Sequence, residues 1–151
     1  MRSVLALFLV LAIVPRAGGG SAGEAGEFEE WDGPPTPNAR GALEVSDFNE
    51  FLDEYPEFAW APTTAATLFL RLDQMTPADT TLETQTAGES ETPVGVVVTL
   101  DGLADDSVRA QRYVLGFERQ GENEWRLTSA VFSQRCQPGR GHQSFSPEAC
   151  V

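Results

Sequence analysis

Cys136, His142 and Cys150 are the chain's only cysteines and its only histidine, and all three fall after residue 135. Between the first two runs Gln137-Pro138-Gly139-Arg140-Gly141. A thiol six residues from an imidazole could act as a nucleophile beside its base, but only as a free thiolate. The same three residues form part of a zinc ligand set, yet at this spacing they match no closed four-ligand pattern, so no metal is expected. Arg140 could grip a carboxylate or phosphate in a fork, and His142 could exchange a proton near neutral pH. A lone histidine in such a loop is ordinarily a surface or hydrogen-bonded residue. Gly139 and Gly141 either let the backbone approach a ligand or only shape a turn.

A second group is Asp101-Gly102-Leu103-Ala104-Asp105-Asp106-Ser107, followed by Arg109 and Arg112. Its three carboxylates could take calcium, but the spacing lacks the EF-hand pattern and its closing glutamate. Arg109 and Arg112 would also compete with a cation. A turn in which Asp105, Asp106 and Ser107 accept bonds from backbone amides is the simpler account. The candidate binding residues are therefore Asp105, Asp106, Arg109, Arg112, Arg140 and His142. No catalytic residue, metal or cofactor is assigned. No Gly-x-Ser-x-Gly elbow, His-Glu-x-x-His helix, phosphate loop or dinucleotide fingerprint occurs.

The compartment decides between the readings of the cysteines. Arg2 gives a positive start, Val4 to Val14 is an apolar run of 11 residues, Pro15 breaks it, and small residues follow to Gly23. This is the layout of a secretory signal peptide over residues 1–23, with cleavage after Gly19, Ala22 or Gly23. Eleven apolar residues fall short of the ~20 that span a bilayer. No stable membrane span is expected after cleavage, and an uncleaved tether is the alternative. In an oxidising compartment two cysteines ordinarily pair. A Cys136–Cys150 disulfide is expected, worth about 3 kcal/mol in the chain-entropy model, and it removes the free thiolate.

The formal charge is −13, and all ten basic residues are arginine. Such a balance argues against nucleic-acid partners and anionic membrane surfaces. The charge is uneven: residues 24–106 carry 19 acids and two arginines, a net of −17, whereas residues 107–151 carry four acids and six arginines, a net of +2. The acidic part is either a solvated front segment or a surface that docks on the arginine-bearing part.

The elements that must position these groups follow from periodicity. Residues 24–43 are acidic and rich in proline and glycine, either a linker or an extended arm laid over the domain; Phe28 and Trp31 argue that part of it packs. Residues 44–151 form the single domain. Phe48, Phe51, Leu52 and Tyr55 share one helical face, with Ser46 as the expected N-cap, Asn49, Glu50, Asp53 and Glu54 facing water, and Pro56 as the stop. Residues 63–75 read as helix through Ala65, Leu68, Phe69 and Leu72, or as a strand over Thr67 to Leu72. Thr76 to Pro93 is a polar loop with a weak edge strand at Thr80 to Thr86.

Three runs then alternate with period two: Val94, Val96, Val98 and Leu100; Tyr113, Leu115 and Phe117, with Val114 opposite; and Trp125, Leu127 and Val131. Gln120 to Asn123 is a hairpin turn, and Gly116 inside a strand marks a bulge or a close approach. The expected fold is α+β: one or two N-terminal helices packed on an antiparallel sheet of three to four strands, with a C-terminal loop closed by the disulfide.

Asp105-Asp106-Ser107-Val108-Arg109, Arg112-Tyr113, Trp125 and the Cys136 to Cys150 segment with Pro138-Gly139-Arg140-Gly141-His142 together resemble a group of uncharacterised small secreted bacterial proteins. The resemblance covers about the last third of the chain. It implies a bacterial, extracytoplasmic setting and one module holding both the aspartate loop and the cysteine loop; it brings no activity or cofactor. The chain is thus expected to be an acidic, secreted, periplasmic or cell-envelope domain without enzymatic activity, whose partner is an unidentified small molecule or protein. The alternative is a hydrolase-like enzyme using His142 with Asp105 or Asp106, and Arg140 as an anion anchor, which requires these groups to converge in one cleft.

Overall fold

The computed structural model describes residues 30–86 and 93–151. The expected leader and the start of the acidic arm, including Phe28, lie outside the described residues. Two helices, α1 (Ser46–Glu54) and α2 (Pro62–Phe69), are each followed by a short 3-10 turn, at Pro56–Phe58 and Leu72–Gln74. Four strands then run in order as an antiparallel meander: β1 (Asp79–Thr86), β2 (Val94–Asp101), β3 (Val108–Gly121) and β4 (Glu124–Cys136). The α+β layer arrangement is as the periodicities require, with two helices and four strands.

The helices cover one face of the sheet. Phe48, Phe51 and Leu52 of α1 and Ala65, Ala66 and Phe69 of α2 are buried against Val94, Val96, Val98 and Leu100, Leu115 and Phe117, and Trp125 and Leu127. Residues 63–75 are helical only as far as Phe69. Arg71 then takes a left-handed conformation (φ 50°, ψ 50°), which breaks the helix and starts the second 3-10 turn. Every residue of β1 is exposed, because the helix layer stops at β2.

Three expectations are corrected. Ser46 is the first residue of α1 rather than its cap, and its hydroxyl donates to Glu44 Oε1 at 2.7 Å. Glu44 accepts the Val45 and Ser46 amides as well; the Ser46 hydroxyl and then these amides hold its carboxyl below its ordinary value. Asn49 does not simply face water: its amide donates to the Leu127 carbonyl and accepts the Leu127 N–H, at 2.8 and 3.2 Å. Val131 does not share the inner face with Trp125 and Leu127. The β3–β4 register shifts between Gly116 and Phe117, so that Gly116 pairs with Ser129 while Phe117 pairs with Leu127. The extra residue, Thr128, reverses the alternation: Ala130 turns inward and Val131 outward, 42% exposed. Gly116 marks that bulge, and a Cβ on it would lie 2.5 Å from Ser129 Oγ.

The outer edge of β4 is covered by irregular chain and by Asn49 of α1. Ala59 O accepts Trp125 N–H, Asn49 bonds Leu127, Leu43 N–H donates to Ala130 O, Gly41 O accepts Phe132 N–H, and Ser146 exchanges two bonds with Gln134. Covering an edge in this way removes a template for strand addition. At the opposite edge β1 pairs only with β2 among the described residues.

The acidic arm, from Glu30 onward, is laid over the domain. The Trp31 ring meets Phe48 at 5.0 Å and Phe69 at 6.1 Å, and its Nε1–H donates to Phe69 O. Arg71, 7% exposed, holds the arm from below: it donates to the Trp31 carbonyl and to Glu30, and forks onto Asp73. The bond to Asp73 leads the effects that raise the Arg71 pKa above its ordinary value. Among the described residues no helix is long and apolar enough to cross a membrane.

Candidate functional site

The 13-residue strand β4 carries the chain from the helix-covered core to Cys136. There the backbone reverses. Gln134 and Ser146 form an antiparallel bridge, and Cys136 is joined to Cys150 by a disulfide with Cα atoms 5.5 Å apart. Gly139 (φ 81°) and Gly141 (φ 134°) occupy conformations that a side chain resists. A Cβ on Gly141 would lie 3.0 Å from Cys136 Sγ. Both glycines therefore serve the turn around the bridge.

His142 sits inside this turn. Its Nδ1 lies 2.8 Å from the Ser144 carbonyl and its Nε2 3.0 Å from the Glu148 carbonyl. A carbonyl only accepts, so both contacts are hydrogen bonds only when both ring nitrogens carry protons. The bond to Glu148 O, then that to Ser144 O, raises the His142 pKa. In this arrangement the ring has no free lone pair with which to take a proton from a nucleophile.

The aspartate loop packs beside the cysteine loop. Gln137 N–H donates to Ser107 O at 2.7 Å, Gln137 Nε2 to Asp105 O at 3.3 Å, and Ser107 Oγ to Val151 O at 3.0 Å. These contacts are made by backbone and by Ser107 and Gln137; the carboxylates point elsewhere. Asp105 accepts the Val108 and Ser107 amides, which hold its carboxyl below the usual range. Arg109 and Arg135 converge instead on Asp101, at 3.5 and 2.8 Å. Burial pushes the Asp101 carboxyl up, but the Gly102 amide and the two guanidiniums outweigh it and hold the carboxyl low. Asp106 and Arg140 are exposed, and the Arg140 backbone, through N–H to Gln137 O and C=O from Val151 N–H, closes the turn. The six candidate residues thus divide between the two loops and the sheet.

Arg112 is the one that the fold turns toward a concave surface. It lies on the face of the sheet away from the helices, where its Nε donates to Thr99 Oγ1 at 3.3 Å and its guanidinium stacks on Phe145 with the carbon 4.0 Å from the ring centroid. Its Nη groups have no partner among the described residues. A groove of about 490 Å³ opens beside it, lined by Thr81, Glu83 and Gln85 of β1, Val97 and Thr99 of β2, and Arg112 and Val114 of β3. Val97, Val114 and Val131 form one cross-strand row, with Val114 44% and Val131 42% exposed. Phe145, brought back by the Gln134–Ser146 bridge, lies under the guanidiniums of both Arg112 and Arg135.

Of these residues, sequence reasoning singled out only Arg112. An apolar Val114 opposite the inward residues of its strand was the signal for the rest. Phe145 carried none, since its place depends on the reversal at Cys136. No protein-family model, curated protein or solved structure matches the chain.

Proposed function

We propose that the protein is a small exported binding domain without enzymatic activity, which takes a short extended peptide with a free carboxylate on the open face of its sheet. The observation that carries this reading is the half-buried Arg112, held flat by Phe145 and Thr99 with its Nη groups unpaired among the described residues, beside Val97 and Val114 on the groove floor. A guanidinium held in one orientation suits a carboxylate, which it bonds through two parallel N–H groups. Glu83 stands on the far strand of the same groove. Strand spacing and register put the Glu83 and Arg112 Cα atoms on the order of 10 Å apart. Three extended residues cover roughly 10 Å, so the carboxylate of a tripeptide on Arg112 leaves its amino end near Glu83. Val97 and Val114 beneath it suit apolar side chains.

Secretion through a cleaved leader, and the bacterial envelope setting that the resemblance implies, belong to the same proposal. The Cys136–Cys150 bridge supports it, because such bonds persist in oxidising compartments. The two carbonyls around His142 weigh against the hydrolase alternative.

Calorimetry with apolar tripeptides tests the reading. Free-acid peptides are expected to bind, and both carboxyl amidation and Arg112→Gln are expected to weaken binding about tenfold or more, as for a lost charged hydrogen bond. Equal affinity for acid and amide, or turnover of ester or peptide substrates abolished by His142→Ala, would overturn it.

A further inference from the structure

The residues that look like an incomplete zinc set in sequence are brought together in space. One ligand atom each from Cys136, His142 and Cys150 lies within 4.8 Å of the others. In the oxidised protein the two sulfurs are bonded to each other and hold no metal. We propose that, once reduced, this cluster is a three-ligand site for a soft divalent cation of the zinc type, so that the terminal loop is closed either by a disulfide or by a metal.

The chemistry is balanced by two electrons and two protons from a dithiol, which is itself oxidised to a disulfide while Cys136 and Cys150 become thiols. Zinc then displaces the two thiol protons and bonds both thiolates. Zinc–sulfur bonds of ~2.3 Å and zinc–nitrogen bonds of ~2.0 Å place tetrahedral ligand atoms about 3.5 to 3.8 Å apart. The cluster therefore needs shifts of about 1 Å or more, which side-chain torsions can supply while the Cα atoms stay 5.5 Å apart.

The surroundings suit the role. His142 is held by carbonyls on both ring nitrogens. One nitrogen leaves its carbonyl for the metal, and the other keeps its N–H···O=C bond, the outer-shell contact that ordinarily orients a metal-bound imidazole. Cys136 is buried, while His142 and Cys150 are half-exposed, so the site opens on solvent and its fourth position can hold water. Two thiolates and an imidazole select zinc over magnesium or calcium.

The test uses the full chain reduced with a phosphine under anaerobic conditions, with Zn²⁺ and Co²⁺ as probes. One equivalent of Zn²⁺ is expected to raise the melting temperature of the reduced protein, and Co²⁺ to give a thiolate-to-cobalt charge-transfer band. The oxidised protein should show neither. His142→Ala should weaken Zn²⁺ binding about tenfold or more, the loss that even an outer-shell partner of a ligand can produce. The Cys136→Ser, Cys150→Ser double variant should abolish the cobalt band. Absence of binding by the reduced chain, or the same affinity in wild type and His142→Ala, would overturn the proposal. The second result would mean that the two thiolates bind zinc without the imidazole.

Discussion

His142 shows how a reactive side-chain type is turned into a structural one. Both ring nitrogens face carbonyl oxygens, so the folded loop prefers the imidazolium, and its pKa is raised. The resulting stability is present below the unfolded value near 6.5 and is lost as pH rises through the folded value. An NMR titration should place the His142 pKa above that of a free histidine. Protection factors for amide exchange in residues 137–151 should fall as the pH passes it, and His142→Ala should remove that fall. Arg71 is the second such residue. Its guanidinium meets Glu30, Asp73 and the Trp31 carbonyl from a buried position. Arg71→Ala should lower stability and loosen the arm, because the Trp31 carbonyl and the Glu30 carboxylate lose their shared donor. Urea unfolding would measure the loss, and a red shift of tryptophan emission would report release of Trp31. By contrast, the exposed Asp53–Arg126 pair should be worth no more than about 1 kcal/mol by double-mutant cycle.

At the scale of elements, the arm and the C-terminal loop are what finish the sheet. The Trp31 ring fills the angle between α1 and α2 against Phe48 and Phe69, so Trp31→Ala should destabilise by about 3 kcal/mol, the low end for loss of a large aromatic from a core. A chemical-denaturation midpoint would measure this. The first helix and strands β2 to β4 were legible because their apolar residues recur at 3.6 or 2.0 positions, whereas residues 63–75 fit both periods and stayed open between helix and strand. The disulfide was legible because a cysteine count of two leaves one pairing, which the expected leader favours. What stayed hidden depends on contacts distant in sequence. Val131 points outward because of one extra residue at Thr128, and periodicity cannot see a reversal that only the pairing with Gly116 reveals. Asn49 sits on the polar side of its helix and gives no sign that it will seal Leu127, 78 residues away. The same holds for the site: Arg112 stood out by charge, whereas Phe145 joins it only through the Gln134–Ser146 bridge.

For the whole molecule, the two sheet edges and two sheet faces are treated differently. One face is filled by helices and one edge, β4, is sealed by loops; the opposite face keeps a valine row and the opposite edge, β1, keeps its backbone open among the described residues. The formal charge of −13 and the acids Asp79 and Glu83 on β1 oppose association through that edge. Glu83→Val should therefore increase self-association, read by light scattering at low ionic strength. Reducing the Cys136–Cys150 bond in the absence of metal should lower global stability by about 3 kcal/mol on the chain-entropy model, and guanidinium unfolding of reduced and oxidised protein would measure the difference. The open face of the sheet is the proposed working surface. The most direct measurement is a methyl-resolved NMR titration of the oxidised protein with an apolar tripeptide bearing a free carboxylate. The Val97 and Val114 methyl signals should move together while core methyls such as those of Val96 and Leu127 stay still, and Arg112→Gln should need about tenfold or more peptide for the same movement. Shifts confined to another surface, or none in these two valines at saturating peptide, would contradict the open face of the sheet as the working surface.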